Sequence, residues 1–447
     1  MLREMRMIVH NIIQRTENAS ASSRADGAAA LVRAYLYGGL EPGERADAEQ
    51  ALCALLDDPS PLVRRTLAES VAGSSEAPPA VVLGLALDQS DIASAVLTRS
   101  PLLTDAQLID CACVGDSVAQ AAIALRHEVS PAVASALAEI ASREAQIALA
   151  VNEGANLPEF AMRRMVERFG DDSELREALL GRPWLPSTVR AALASAAAQQ
   201  LTRHAVQSNW LSPGRSERLA KDARERAAII IAAGCAAFSQ ETGALAAYLR
   251  VSGQLTPGLA LRALLCGQAG LFAAALVELT GLGPRRIAAL IREPASSSFA
   301  AAYAEAGLPE SLLVAFRAAL EALSQSSGKQ VEGGDDGGLR LPLIQFVLRR
   351  CEAARDPSLD RLIALLRRFE ADAVREAARN SLARLRAAGD PKARAMPAAP
   401  EPEAQPALAT GPGPAAPEGG VELTREAFAE NAIVVDLVAM ERELMAA

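Results

Sequence analysis

Between residues 77 and 325 the apolar positions fall into short helical blocks, and most blocks open with the same device. An apolar or small residue precedes a capping side chain or a proline, and helically spaced apolar positions follow. The copies are APPAVVLGLA from Ala77, LTDAQLIDCA from Leu103, VSPAVASALA from Val129, LPEFAMRRMV from Leu157, LPSTVRAALA from Leu185 and LSPGRSERLA from Leu211. Successive starts are 26, 26, 28, 28 and 26 residues apart. The device resumes at Leu255, Leu282 and Leu308, spaced by 27 and 26. Proline at the first helical position costs little, because that N–H has no partner within the helix. The fullest copy is LLTDAQL, residues 102–108, where Thr104 is a cap, Gln107 closes a capping box, and Leu103 and Leu108 form a hydrophobic staple.

A second short helix is expected in each interval: SPLVRRTLAESVA (60–72), SDIASAVLTR (90–99), SVAQAAIALRH (117–127) and SREAQIALAV (142–151). Two short helices about every 27 residues predict an all-α, HEAT-like α-solenoid, whose units bury their apolar faces only by stacking. DDPSPLVRRTLAESVA (57–72) resembles a HEAT repeat most closely, with Asp58, Val63 and Arg64 on a D-x-x-x-x-V-R pattern. That resemblance implies that Asp58 and Arg64 bond between neighbouring repeats; later units lack the arginine. Over roughly residues 25–325, the ordered segments LVRAYLYGGL, DDPSPLVRRTLAESVA, SDIASAVLTRSPLLTDAQL, LTGLGPRRIAALI and AYAEAGLPESLL resemble an uncharacterised alphaproteobacterial family, domain of unknown function 2336. The resemblance implies a helical-repeat fold and supplies no catalytic residue.

The chain divides on this reading into an amphipathic N-terminal helix and loop (1–24), a first repeat block (25–215), a long linking helix (216–240) and a second block (241–324). A flexible loop (325–338), a basic helical segment (339–387), a disordered Pro/Ala-rich linker (388–420) and a C-terminal amphipathic helix (421–447) follow. In the last of these Val434, Leu437, Val438 and Leu444 contribute to an apolar face that docks on this chain or on a partner.

Composition narrows the function. Hydrophobic residues make up 50% of the 447 positions and aromatics only 3%, which favours close-packed helices over sheets. A net charge of −9 argues against a chain-wide nucleic-acid surface. The six cysteines form no C-x-x-C pair, and His10, His127 and His204 lie far apart, so no metal or cofactor is expected and reduced thiols point to the cytoplasm. The N-terminus does not read as a secretory signal. The apolar runs 227–238 and 263–277 read as core helices, so no membrane insertion is expected. No G-x-S-x-G, Walker or H-E-x-x-H pattern is present.

Three functional classes therefore compete. The leading one is a non-catalytic protein-interaction scaffold. The second is nucleic-acid binding. LTGLGPRRIAALI (279–291) resembles a helix-hairpin-helix turn: Gly281, Leu282 and Gly283 would bring backbone amides to a phosphate, and Arg285 and Arg286 add charge. Ile287 stands where that motif usually has alanine, and the segment is also in register with the repeat. Further on, Arg361, Arg368 and Arg375 share a helical face, with Asp372 and Glu376 in range to neutralise it as a solvated, salt-bridged surface. The third class is a cryptic enzyme on a solenoid scaffold.

Overall fold

The computed structural model describes residues 19–237, 239–326, 338–354 and 359–389. The N-terminal segment, the Gly-rich loop, the Pro/Ala-rich linker and the C-terminal segment with Val434, Leu437, Val438 and Leu444 lie wholly or mainly outside them. Among the described residues every regular element is a helix, and the one β-type pairing is an isolated bridge between Val129 and Ala155. The chain divides into two compact units, Met1–Arg224 and Glu225–Ala447.

The first unit holds α1 (Ala21–Tyr37), α2 (Pro42–Ala54), α3 (Pro61–Val71), α4 (Pro79–Ala86), α5 (Ser90–Arg99) and α6 (Asp105–Val114). It continues with α7 (Ser117–Ala124), α8 (Pro131–Ile140), α9 (Arg143–Val151), α10 (Glu159–Phe169), α11 (Ser173–Leu180) and α12 (Ser187–Gln207). The unit boundary falls within α13 (Pro213–Ala233). Odd-numbered helices pack in sequence: α1 on α3, α3 on α5, α5 on α7, α7 on α9 and α9 on α11. Even-numbered helices form a second layer, with α2 on α4, α6 on α8, α8 on α10 and α10 on α12.

Local chemistry fixes where each helix begins. Thr104 caps α6 by accepting from the Gln107 N–H at 3.4 Å, and the Gln107 carboxamide oxygen accepts from the Thr104 N–H at 2.9 Å. Asp116, Ser130, Ser142 and Asp172 cap α7, α8, α9 and α11 in the same way. Proline opens α3, α4 and α8. Leu103 and Leu108, the staple pair, are both buried in a core that runs from Leu31 to Leu193.

Two boundaries differ from the sequence reading. The expected second helix between Leu185 and Leu211 does not exist as a separate element. Residues 187–207 form one 21-residue helix, because STVRAALASAAAQQLTRHAVQ has no glycine, proline or loop-forming cluster to interrupt an alanine-rich pattern. The linking helix, expected over 216–240, starts at Pro213 and stops at Ala233, before Gly234, and Ser239 caps the next helix.

The second unit holds α14 (Gln240–Val251), α15 (Pro257–Leu265), α16 (Ala269–Thr280), α17 (Pro284–Arg292), α18 (Ser297–Glu305), α19 (Leu313–Ser326), α20 (Leu341–Ala353) and α21 (Asp360–Gly389). Phe272 stacks on Phe316 at 5.2 Å, and Tyr303 meets Phe316 edge-on at 5.3 Å. The Tyr303 hydroxyl donates to the Pro309 carbonyl at 2.9 Å, and burial pushes its pKa up. Leu343, Ile344, Val347, Leu362, Leu366 and Phe369 join this same core, so α20 and α21 are continuous with the second block. Residues 360–389 form one 30-residue helix, since no breaker separates Phe369 from Val374.

Candidate functional site

The connections at the C-terminal ends of α5, α7, α9 and α11 are tied to one another by side chains that satisfy the last helical carbonyls. Arg126, just past α7, donates to the carbonyls of Leu97 at 2.5 Å and Ser100 at 2.7 Å. Asn152, just past α9, donates to Ala124 at 2.8 Å and Arg126 at 2.7 Å. Arg182, just past α11, donates to Ala150 and Asn152, each at 3.0 Å, and to Ala155 at 2.8 Å. Each rung thus caps the helix one unit back, where unpaired carbonyls and the helix dipole favour a cation or a donor. Burial pulls the Arg126 and Arg182 pKa values below the ordinary one, while Asp105 and Glu153 respectively act in the opposite direction.

A second set of donors joins the layers. Gln120, Gln146 and Arg176, on α7, α9 and α11, reach the terminal carbonyls of α6, α8 and α10: Ala112 at 3.1 Å, Leu137 at 2.7 Å and Gly170 at 2.8 Å. Sequence reading missed both ladders. Their signal was a polar residue recurring at 26- to 30-residue spacing, but its identity changes from arginine to asparagine or from glutamine to arginine, and only the carbonyl target is constant.

Beside the first ladder stands an exposed apolar row. Leu125, Val151 and Leu180 end or follow α7, α9 and α11 at equivalent points and face solvent. Trp184, in the α11–α12 connection, is 66% exposed, and Phe160, the second residue of α10, is 57% exposed. Exposed Glu128 and Glu153 lie in the same connections. Leu87, Val114 and Ile140 make a comparable row at the ends of α4, α6 and α8, without an aromatic member. In a chain with two tryptophans, an indole held in the open by a fixed connection is a candidate anchor for a partner.

The residues marked from sequence are placed as follows. Asp58 accepts from Nε and Nη2 of Arg24, on α1, at 2.8 and 2.9 Å. Arg64 grips Asp88, at 2.6 and 3.1 Å, and donates to the Asp58 backbone carbonyl at 2.6 Å. Gly281 has φ +69° at the end of α16, and Gly283 caps α17. A Cβ at either glycine would meet no atom within 4 Å, so the turn is open on its outer side. Arg285 and Arg286 are exposed, and among the described residues neither meets a carboxylate; Ile287 is fully buried.

Arg361, Arg368 and Arg375 are exposed along α21, and the expectation that Asp372 and Glu376 neutralise them is not met. Asp372 faces Arg226 of α13 at 4.0 Å, and Glu376 is turned towards Gly338. Both acids lie beside the buried Phe369–Ala373 edge of the helix, and their carboxylates go to the body of the unit. The turn and the stripe are carried by different elements: α17 packs on α16, α18 and α19, whereas α21 packs on α20.

A family model described as an uncharacterised protein conserved in bacteria, DUF2336, matches residues 92–355. The chain belongs to this family. No curated protein and no solved structure matches it. The family span contains both donor ladders, the apolar row and the Gly281–Arg286 turn, and ends before α21.

Among the described residues no three or more of His, Cys, Asp and Glu come together to hold a metal ion. All six cysteines are free; Cys113 is exposed, whereas Cys266 is buried and its thiol is pushed up to about 12. Such a thiol is a packing group and a poor nucleophile at neutral pH. Among the described residues no helix is long and apolar enough to cross a membrane.

Proposed function

We propose that this chain is a non-catalytic, cytoplasmic protein-interaction scaffold whose first unit is a HEAT-like α-solenoid with a period near 27 residues. Helix starts at Pro79, Asp105, Pro131, Glu159 and Ser187, and the layer-by-layer packing order, support the architecture. The observation that carries the function is the set of exposed apolar residues Leu125, Val151, Phe160, Leu180 and Trp184 at helix ends and connections held by Arg126, Asn152 and Arg182. Pre-organised apolar side chains lose little entropy on binding, so they can anchor a partner segment. Glu128 and Glu153 beside them suit a segment with basic flanks. Six free thiols support a reducing compartment.

The test is affinity capture with the full chain, comparing the wild type with Trp184→Ala and with Val151→Asp/Trp184→Ala. Partners lost from the variants at unchanged melting temperature are the expected result. Variants that keep every partner would sink the reading.

A second reading rests on the open Gly281–Gly283 turn with exposed Arg285 and Arg286. It predicts salt-sensitive nucleic-acid binding that weakens in Arg285→Ala/Arg286→Ala. Absence of binding at low ionic strength removes it.

A further inference from the structure

We propose that residues 421–447 dock in cis on the exposed arginine face of α21. The receptor face is defined by what it lacks. Leu359, just before α21, and Leu362, Leu366, Phe369 and Ala373 on its inner side are buried, spaced alternately three and four residues apart. The outer side carries Arg361, Arg368 and Arg375, each followed three residues later by an alanine (Ala364, Ala371 and Ala378), all exposed. Val374 and Leu382, at 50% and 54% exposure, add apolar area that no described element covers. None of these three arginines meets a carboxylate among the described residues, since Asp372 and Glu376 face the other way.

The occupant matches this face in charge. Residues 421–447 contain six carboxylates (Glu422, Glu426, Glu430, Asp436, Glu441 and Glu443) against Arg425 and Arg442, a net charge of −4. Val434, Leu437, Val438 and Leu444 recur at helical spacing among them, so an apolar strip with acidic flanks meets an alanine track with basic flanks. Alanines along the track permit close approach, and exposed arginines can each bind a carboxylate through two N–H groups.

Reach is matched as well. The segment is joined to Gly389, the last residue of α21, through residues 390–420. A flexible chain of about 31 residues spans roughly 30 Å, from 5–6 Å times the square root of its length. Arg368 lies 21 residues before Gly389, about 31 Å along the helix at about 1.5 Å per residue. A tether whose mean length equals the span gives the highest effective concentration, of order mM. A second copy of the chain would have to match that concentration in free solution.

Hydrogen exchange read by mass spectrometry on the full chain tests this. At low salt and micromolar protein, amides of residues 434–444 should exchange at least about tenfold more slowly than in the free segment. That protection should vanish at 1 M salt, as about a 3 Å screening length requires. It should also vanish in Arg361→Glu/Arg368→Glu/Arg375→Glu, whose sites are exposed and leave the core intact. Asp436→Lys/Glu441→Lys/Glu443→Lys should lose protection alone and regain it when combined with the arginine reversals. Unprotected amides in the wild type, or protection indifferent to both reversals, would overturn the proposal. Protection that grows with protein concentration would replace cis docking by pairing of two copies.

Discussion

At the scale of single residues, charge in the first unit is used to join successive helices. Asp58 shows it best: its carboxylate is held by Arg24 at 2.8 Å and by the Ser60 N–H at 2.8 Å, and its side chain is only 8% exposed. The Arg24 hydrogen bond holds the Asp58 pKa below the ordinary carboxylate value, against the opposing effect of burial. A depressed folded-state pKa stabilises fully above the unfolded value, about 3.9, and that contribution is lost as pH falls through the folded value. The expected outcome is that acid unfolding from pH 5 downward is steeper in the wild type than in Asp58→Asn, measured by circular dichroism; parallel curves would contradict it. Asn152 is the uncharged counterpart. Asn152→Ala removes donors to Ala124 and Arg126 and should cost about 1–3 kcal/mol in denaturant unfolding. It should also loosen the Leu125 and Val151 connections, seen as faster amide exchange there.

At the scale of elements, the helix starts were legible and the helix ends less so. Starts are encoded within four residues: Thr104 and Gln107 close their box around α6 without help from any other helix. Thr104→Ala should therefore lower stability by about 1 kcal/mol, with partner capture unchanged when measured below the melting transition. A variant that kept its melting temperature but lost a partner would show that the threonine contacts that partner instead. Ends depend on what the rest of the fold offers. The run through α12 contains no breaker, so a pattern tuned to a short period proposed a turn that the backbone does not make. The arginine stripe of α21 was visible as a seven-residue spacing, but the partners of Asp372 and Glu376 were not. Which side of a helix an acid favours follows from the burial of Phe369 and Ala373, a tertiary fact. The exposed Trp184 was likewise invisible, since a lone tryptophan in GRPWLP reads equally well as core.

At the scale of the whole molecule, the two largest apolar cores among the described residues differ in kind. The first, from Leu31 to Leu193, has Tyr35 as its one buried aromatic residue and is assembled from many short helices. The second, from Ala260 to Ala373, is centred on Phe272, Phe299, Tyr303 and Phe316 and is closed by a 30-residue helix. Leu137 and Phe316 are each fully buried in one of them. Truncating a buried leucine costs about 2–5 kcal/mol and a buried phenylalanine about 3–5, through lost transfer energy and the cavity left behind. Distant sites with no shared contacts act independently. Calorimetry of the full chain should therefore show two transitions, with Leu137→Ala lowering one and Phe316→Ala the other. If the first unit behaves as a stack of nearest-neighbour contacts, its transition should also broaden in Leu137→Ala, because a weakened central pair lets the flanking helices unfold separately. A single transition that both variants shift equally would mean that the two cores fold as one.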